Sequence, residues 1–114
     1  MGPSAEPSRI ACYEEERRGI FIHRDLLQGT PFRPGDRFAI LPRPAQLFSV
    51  TLVRDPAGPI LFDRHGIFLE RTRRLDVLLG GIFERYAVLL DPARPETLRL
   101  RPLEALRDPG QAWF

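Results

Sequence analysis

The sequence predicts a mainly β protein, a small barrel made of two tandem units that each have one short helix. Three observations support this prediction. A stretch occurs twice, once over 16–44 and again over 63–92, and a repeat of that kind indicates a repeated structural unit. The apolar segments are short and are bounded by Gly- and Pro-containing turns, as is typical of β-strands. Helical spacing of apolar residues extends over only a few turns in each copy.

The repeat is defined most clearly around two glycines. Gly19-Ile20-Phe21 aligns with Gly66-Ile67-Phe68, and the flanking basic residues align as well. After one inserted residue the match resumes, so that Phe38 aligns with Tyr86. Units of fewer than about 50 residues rarely bury enough apolar surface to fold alone. We therefore expect the two copies to share one core.

The predicted organisation follows the repeat. Residues 1–8 form a flexible lead, and 9–54 form the first unit. The breaker-rich run 55–59 (Asp-Pro-Ala-Gly-Pro) links it to a second unit at 60–102. Residues 103–114 lie outside the repeat and are predicted to be a tail. A chain of 114 residues is the length of one domain.

In the first unit, strands are predicted at 9–14, 20–23, 37–41 and 48–53. The apolar members of the first strand are taken to be Ile10, Cys12 and Tyr13. Gly19 permits the tight turn after the charged run 15–18. A helical turn over 26–27, capped by Asp25, and a type II turn at Pro34-Gly35 follow.

In the second unit, strands are predicted at 60–62, 67–70, 83–90 and 97–101. Between them lies a helix that we expect Thr72 to cap. Leu75, Leu78 and Leu79 lie on one face at helical spacing, and Gly80-Gly81 ends the helix.

Composition excludes several classes of protein. All 17 basic residues are Arg, which indicates a coding bias, and the net charge is only +2. Cys12 is the single cysteine, so neither an intramolecular disulfide nor a Cys-based zinc site is available. No apolar run approaches the roughly 20 residues of a membrane span. The N-terminal run lacks the apolar core of a signal peptide, and we expect a cytoplasmic protein with no membrane association.

Two runs of residues resemble a known family. Gly19-Ile20-Phe21-Ile22, followed by 32–36 (Phe-Arg-Pro-Gly-Asp), resembles the swapped-hairpin unit of AbrB/MazE/SpoVT-type proteins. The run 61–67 (Leu-Phe-Asp-Arg-His-Gly-Ile) is similar to the opening of MraZ-type proteins, which contain two such units. The resemblance covers roughly residues 9–102. The chain departs from the family pattern at 23–24 and 70–71, where members commonly have Pro, and at 81–84, which replaces the Pro-Gly-Asp turn.

The resemblance implies a compact barrel of two interleaved halves and a bacterial DNA-binding regulator or antitoxin. Members are usually homodimers, so pairing between two chains is an alternative to pairing within one. Basic residues at equivalent turns and strand ends would form two matching patches suited to duplex phosphates. These residues are Arg17, Arg18, Arg24, Arg64, Arg71, Arg73 and Arg74. The alternative is that they are solvated side chains paired with nearby acids.

A second functional hypothesis is a non-enzymatic protein–protein interaction module, such as an accessory or inhibitory protein of a mobile element. Trp113 and Phe114 would then dock on a partner, or else fold back onto the barrel. No enzyme, cofactor or metal site is predicted, because Cys12 lies in an apolar strand and the histidines lack metal-ligand spacing. The recurrence of Phe21 and Phe68 at one repeat position predicts that both are core residues.

Overall fold

The computed structural model describes residues 9–41 and 48–103. Within these ranges the chain forms eight strands, one α-helix and one 3-10 helix. Their bounds are β1 Ile10–Glu14, β2 Gly19–His23, the 3-10 helix Arg24–Leu27, β3 Arg37–Ile40, β4 Val50–Arg54, β5 Ile60–Leu61, β6 Gly66–Glu70, α1 Arg73–Leu79, β7 Arg85–Leu90 and β8 Thr97–Pro102.

The strands form one antiparallel sheet in the order β5-β3-β4-β8-β7-β1-β2-β6. The two end strands approach each other at a single bridge, between Phe62 and Ile67, so the sheet is a nearly closed barrel. The predicted mainly β barrel is confirmed.

The strand pairing has an approximate two-fold arrangement. In the β2–β6 pair Phe21 lies opposite Phe68, and in the β4–β8 pair Thr51 lies opposite Arg99. Exchanging β1–β4 with β5–β8 reproduces six of the seven strand pairings of the sheet. The exception is β1–β2, whose counterpart is the single bridge between Phe62 and Ile67. This symmetry belongs to the pairing, and the origin of the two halves by duplication stays a prediction.

Both halves contribute to one hydrophobic core. Ile20 and Ile22 of β2 and Ile67 and Leu69 of β6 are at most 2% exposed, because alternate side chains of a strand point to the same face. Phe38 and Tyr86, which align in the repeat, are both 0% exposed.

Tyr86 keeps its hydroxyl group satisfied in the core. The oxygen accepts a hydrogen bond from the Phe83 amide at 2.9 Å. Burial raises the pKa of Tyr86 to about 12, so the phenol stays neutral at physiological pH.

Three sequence predictions about orientation are wrong. Phe21 and Phe68 are only partly buried and lie on the outer face of the barrel. Because Ile20 and Ile22 point inwards, the side chain between them must point outwards. Cys12 is exposed, and Ala11 is the buried residue of β1. The buried position of β1 is therefore displaced by one residue from the predicted Cys12, whereas the predicted Tyr13 does pack against the core.

The turn and cap predictions mostly agree with the structure. Thr72 Oγ1 accepts a hydrogen bond from the Leu75 amide at 3.1 Å, and Gly80 ends α1 with a φ of 80°. Gly35 has a φ of 103° in the predicted type II turn. The predicted cap of the first helical turn is wrong, because His23 Nδ1, not the Asp25 side chain, accepts the capping bond from the Asp25 amide at 3.1 Å.

Candidate nucleic-acid interface

The seven arginines selected from the sequence converge on one side of the barrel. We call the outer face of β2 and β6 the β2–β6 wall. Its ladder has five residue pairs from Gly19–Glu70 to His23–Gly66 and is about 13 Å long at 3.3 Å per residue. Because β2 and β6 are antiparallel, the turn before one strand lies beside the segment that follows the other.

The first group, which we call the helix-side cluster, lies at the Gly19 end of the ladder. The Arg71 amide donates a hydrogen bond to the Arg18 carbonyl at 2.9 Å. This contact places the β1–β2 turn next to the segment leading into α1. The cluster consists of Arg17, Arg18, Arg71, Arg73 and Arg74.

The second group, which we call the turn-side cluster, lies at the opposite end and consists of Arg24, Arg64 and His65. The Arg24 amide donates to the His65 carbonyl at 3.0 Å, and Arg24 Nη1 donates to the Arg64 carbonyl at 3.3 Å. The structure therefore places the predicted residues in two groups, one at each end of a single ladder.

Asp63 shapes the turn-side cluster. Its Oδ1 accepts hydrogen bonds from the His65 amide at 2.7 Å and the Gly66 amide at 3.1 Å. The bond from His65 is the main reason that the pKa of Asp63 lies below its ordinary value. The ionised carboxylate therefore holds the turn that presents Arg64.

Three of the seven arginines form ion pairs with acids on the same surface. Arg17 lies 3.3 Å from Glu14 and Arg24 lies 4.0 Å from Asp25, and all four side chains are exposed by more than a third. Pairs of this kind contribute little to stability. Arg17 and Arg24 are thus paired with nearby acids, as the alternative interpretation of the sequence expects. Exposed pairs of this kind exchange readily for other partners.

Arg71 differs from the other arginines because its partner is nearly buried. Its guanidinium lies 3.0 Å from Asp76, whose side chain is only 12% exposed. Hydrogen bonding to Asp76 raises the pKa of Arg71. Arg71 therefore attaches α1 to the end of β6.

The remaining four arginines are exposed and form no ion pair with any other residue that the structure describes. Arg18 has a φ of 58° at the end of the β1–β2 turn, and Arg73 and Arg74 occupy the exposed start of α1. Arg64 Nε donates a hydrogen bond to Nε2 of the neighbouring His65 ring at 3.3 Å. These four side chains lie at the two ends of the wall and are available to bind anionic groups.

Planar side chains occupy the centre of the wall. The Arg17 guanidinium lies 4.2 Å from the Phe68 ring centroid and 5.1 Å from that of Phe21. The rings of Phe21 and His23 are 6.0 Å apart in an edge-to-face arrangement. Sequence reasoning missed this feature because it assigned both phenylalanines to the core. Because Ile20, Phe21 and Ile22 are all apolar, the sequence of β2 carries no signal that would have indicated it.

Gly19 allows the Phe68 ring to cross onto β2. A Cβ atom at position 19 would lie 2.4 Å from Phe68 Cζ and 2.4 Å from the Leu69 carbonyl oxygen. Only glycine fits at that distance. The glycine selected from the sequence for its turn conformation therefore has a packing role on the wall.

A groove of about 560 Å³ opens beside Phe68. It lies next to β5, which has only two residues, whereas the corresponding strand of the first half, β1, has five. The sheet is therefore shorter on this side of β6. The lining includes the apolar Ile60 and Leu61, together with Thr72 and Arg74. The groove thus joins the centre of the wall to the helix-side cluster.

The other predictions concern the C-terminal residues, metal binding and the membrane. Trp113 and Phe114, the predicted partner-binding residues, lie outside the described residues. In the described part of the chain no group of three or more His, Cys, Asp or Glu side chains is placed to hold a metal ion. No helix in that part is both long and apolar enough to cross a membrane.

Comparison with known proteins found no match to any family model, any curated protein or any solved structure. The resemblance to swapped-hairpin proteins therefore stays a prediction.

Proposed function

We propose that this chain is a DNA-binding protein of the transcription-regulator or antitoxin type, and that the β2–β6 wall contacts DNA. One observation supports the proposal above the others. The pairing of β2 with β6 brings arginines that are distant in sequence to the two ends of one ladder. Arg18 and Arg64, which form no ion pair within the described residues, are in opposite clusters.

The spacing of the clusters suits a nucleic-acid backbone. Arg18 and Arg24 are six residue steps apart across the five-residue β2, which is roughly 20 Å at 3.3 Å per residue. Along the axis of duplex DNA the phosphates of one strand recur about every 3.4 Å, so the distance between the clusters corresponds to about six phosphates of one strand. Guanidinium groups bind phosphate oxygens in a bidentate manner.

The test is a charge reversal at the two clusters. Arg18→Glu combined with Arg64→Glu should weaken binding to a fluorescent random-sequence duplex by at least about tenfold at low salt. It should also flatten the dependence of affinity on salt, because about two phosphate contacts are lost. Fluorescence anisotropy at two salt concentrations measures both quantities. Both residues are exposed, so the fold should survive, and circular dichroism checks it.

A matched control is available on the opposite side of the barrel. Arg94 and Arg101 are also exposed, and they lie before and on β8, whose pair with β4 is opposite the wall in the order of strands. Arg94→Glu with Arg101→Glu makes the same change in net charge. Equal loss of binding in the two double variants would show a general charge effect and would refute the wall assignment.

The alternative function is a non-enzymatic protein–protein interaction module on the same fold. The apolar part of the groove, with Ile60 and Leu61, favours it. This alternative replaces the proposal if the wild-type protein binds no nucleic acid at low salt.

A further inference from the structure

We propose that the DNA bound by the β2–β6 wall is single-stranded, with unpaired bases packed against Phe68 and Phe21. This inference rests on the proposed function and narrows it to one class of substrate. It concerns the centre of the wall, whereas the assignment of phosphate contacts concerns its two ends.

The first argument is the placement of the aromatic rings. Phe21 and Phe68 are opposite each other at the middle of the ladder, and both are only partly buried on the outer face. Phosphate binding alone needs no aromatic surface. Aromatic side chains between basic groups are typical of proteins that bind single strands, because every base has a face on which it can stack.

The second argument is the groove beside Phe68. Its volume of about 560 Å³ lies within the range of about 300–1,000 Å³ usual for small-ligand sites. Apolar residues line one part, and the exposed Glu70 and Arg74 belong to the same lining. The groove therefore offers an apolar surface for a base beside Phe68 and a guanidinium for its phosphate.

The third argument is the position of Arg17. Its guanidinium is planar and lies over both rings, 4.2 Å from the Phe68 centroid and 5.1 Å from the Phe21 centroid. Its ion pair with Glu14 is exposed, with side chains 50% and 36% accessible. Such a group can stack on a base in the way that it stacks on the rings. In duplex DNA the base faces are covered by neighbouring bases, so this surface would have no partner there.

The experiment compares labelled oligonucleotides of one sequence as single-stranded DNA, duplex DNA and single-stranded RNA. A length of about 20 nucleotides exceeds the span of the wall. The protein variant is Phe21→Leu combined with Phe68→Leu, which retains apolar volume but removes both rings. Phe48→Leu is the matched control, because Phe48 is 59% exposed and contacts Gly80 at the end of α1, outside the wall.

We expect the wild type to bind single-stranded DNA more tightly than duplex. The double leucine variant should lose about tenfold or more in affinity for the single strand and little for the duplex. The Phe48→Leu variant should match the wild type. Thermal unfolding of each variant establishes that any loss is not a loss of fold.

The other possible results refute the inference alone, the assignment to DNA, or the proposed function as well. In one outcome, the protein binds single and double strands equally, the leucine variant binds as the wild type does, and reversal of Arg18 and Arg64 abolishes binding. That outcome refutes the inference and leaves the proposed function standing. Tighter binding of RNA than of DNA refutes the assignment to DNA. If the wild type binds none of the three oligonucleotides at low salt, the proposed function fails with the inference.

Discussion

At the scale of single residues, the structure separates arginines that look alike in the sequence. Arg71 and Arg73 are two positions apart and both were predicted to contact DNA. Arg71 forms three contacts of 3.0–3.2 Å with Asp76, whereas Arg73 is exposed and has no ion pair with a described residue. One has a structural partner, and the other is free to bind a phosphate.

This difference gives a prediction of stability. Arg71→Ala should lower the free energy of unfolding by roughly 1–3 kcal/mol, because it leaves the nearly buried Asp76 carboxylate without its charged partner. Arg73→Ala should change stability by less than about 0.5 kcal/mol, as is usual for exposed sites. Urea denaturation of both variants measures the difference. Equal stability of the two variants would contradict the structural role of Arg71.

A partner substitution tests the same pair from the other side. If the unpaired Asp76 charge causes the loss of stability in Arg71→Ala, adding Asp76→Asn to that variant should recover part of the loss. A neutral amide is less costly to bury than an unpaired carboxylate. No recovery would indicate that Arg71 acts through packing alone.

At the scale of elements, the β2–β6 ladder depends on close approach of the two strands at Gly19. The residue is buried, and the Phe68 ring and the Leu69 carbonyl both occupy the space that a side chain would need. The β1–β2 hairpin and the aromatic centre of the wall are therefore coupled through one glycine.

Gly19→Ala should accordingly destabilise the protein by roughly 1–3 kcal/mol through overpacking. Because the Leu69 carbonyl is part of the main chain, the cost should persist in a Phe68→Leu background. Chemical denaturation of the two single variants and the double variant measures this. If Gly19→Ala changed the free energy of unfolding by less than about 0.5 kcal/mol in either background, the two strands would not be in such close contact.

At the scale of the whole molecule, an ion pair joins the two halves on the side of the barrel opposite the wall. Arg54 of β4 binds both carboxylate oxygens of Glu96 at 2.7 Å and also lies 3.3 Å from Asp36. Its side chain is 29% exposed. The hydrogen bonds from Arg54 lower the pKa of Glu96 below its ordinary value of 4.5.

The lowered pKa predicts how stability depends on pH. Because the folded state favours the ionised carboxylate, its contribution is present above pH 4.5, the ordinary pKa, and is lost as the pH falls through the lower pKa of the folded state. Asp63 changes stability in the same direction. The wild type should therefore have a higher Tm than Glu96→Gln near neutral pH, and the difference should shrink below about pH 4.

Thermal unfolding across this pH range tests the prediction, with Glu16→Gln as a control at an exposed position in the β1–β2 turn. A difference in Tm between the wild type and Glu96→Gln that stays constant with pH would show that the Glu96 charge does not contribute through Arg54.

Features that depend on neighbouring residues could be predicted from the sequence alone. The cap at Thr72, the helix end at Gly80 and the turn at Gly35 follow from local backbone and hydrogen-bonding requirements, and the strands agree with the structure to within one or two residues. The repeat also indicated which turns and strand ends are equivalent. It did not indicate the grouping, because each cluster combines residues of both halves, Arg71 beside Arg18 and Arg24 beside His65.

Only the tertiary structure decided which strand face points inwards and which residues meet across the sheet. A strand with apolar residues in succession, such as Ile20-Phe21-Ile22, gives no sign of which face is covered, so the outward position of Phe21 depends on how the barrel closes. The free state of Arg73 and the paired state of Arg71 depend on where the Asp76 carboxylate points. These outcomes arise from packing between distant segments, and the local sequence contains no information about that packing.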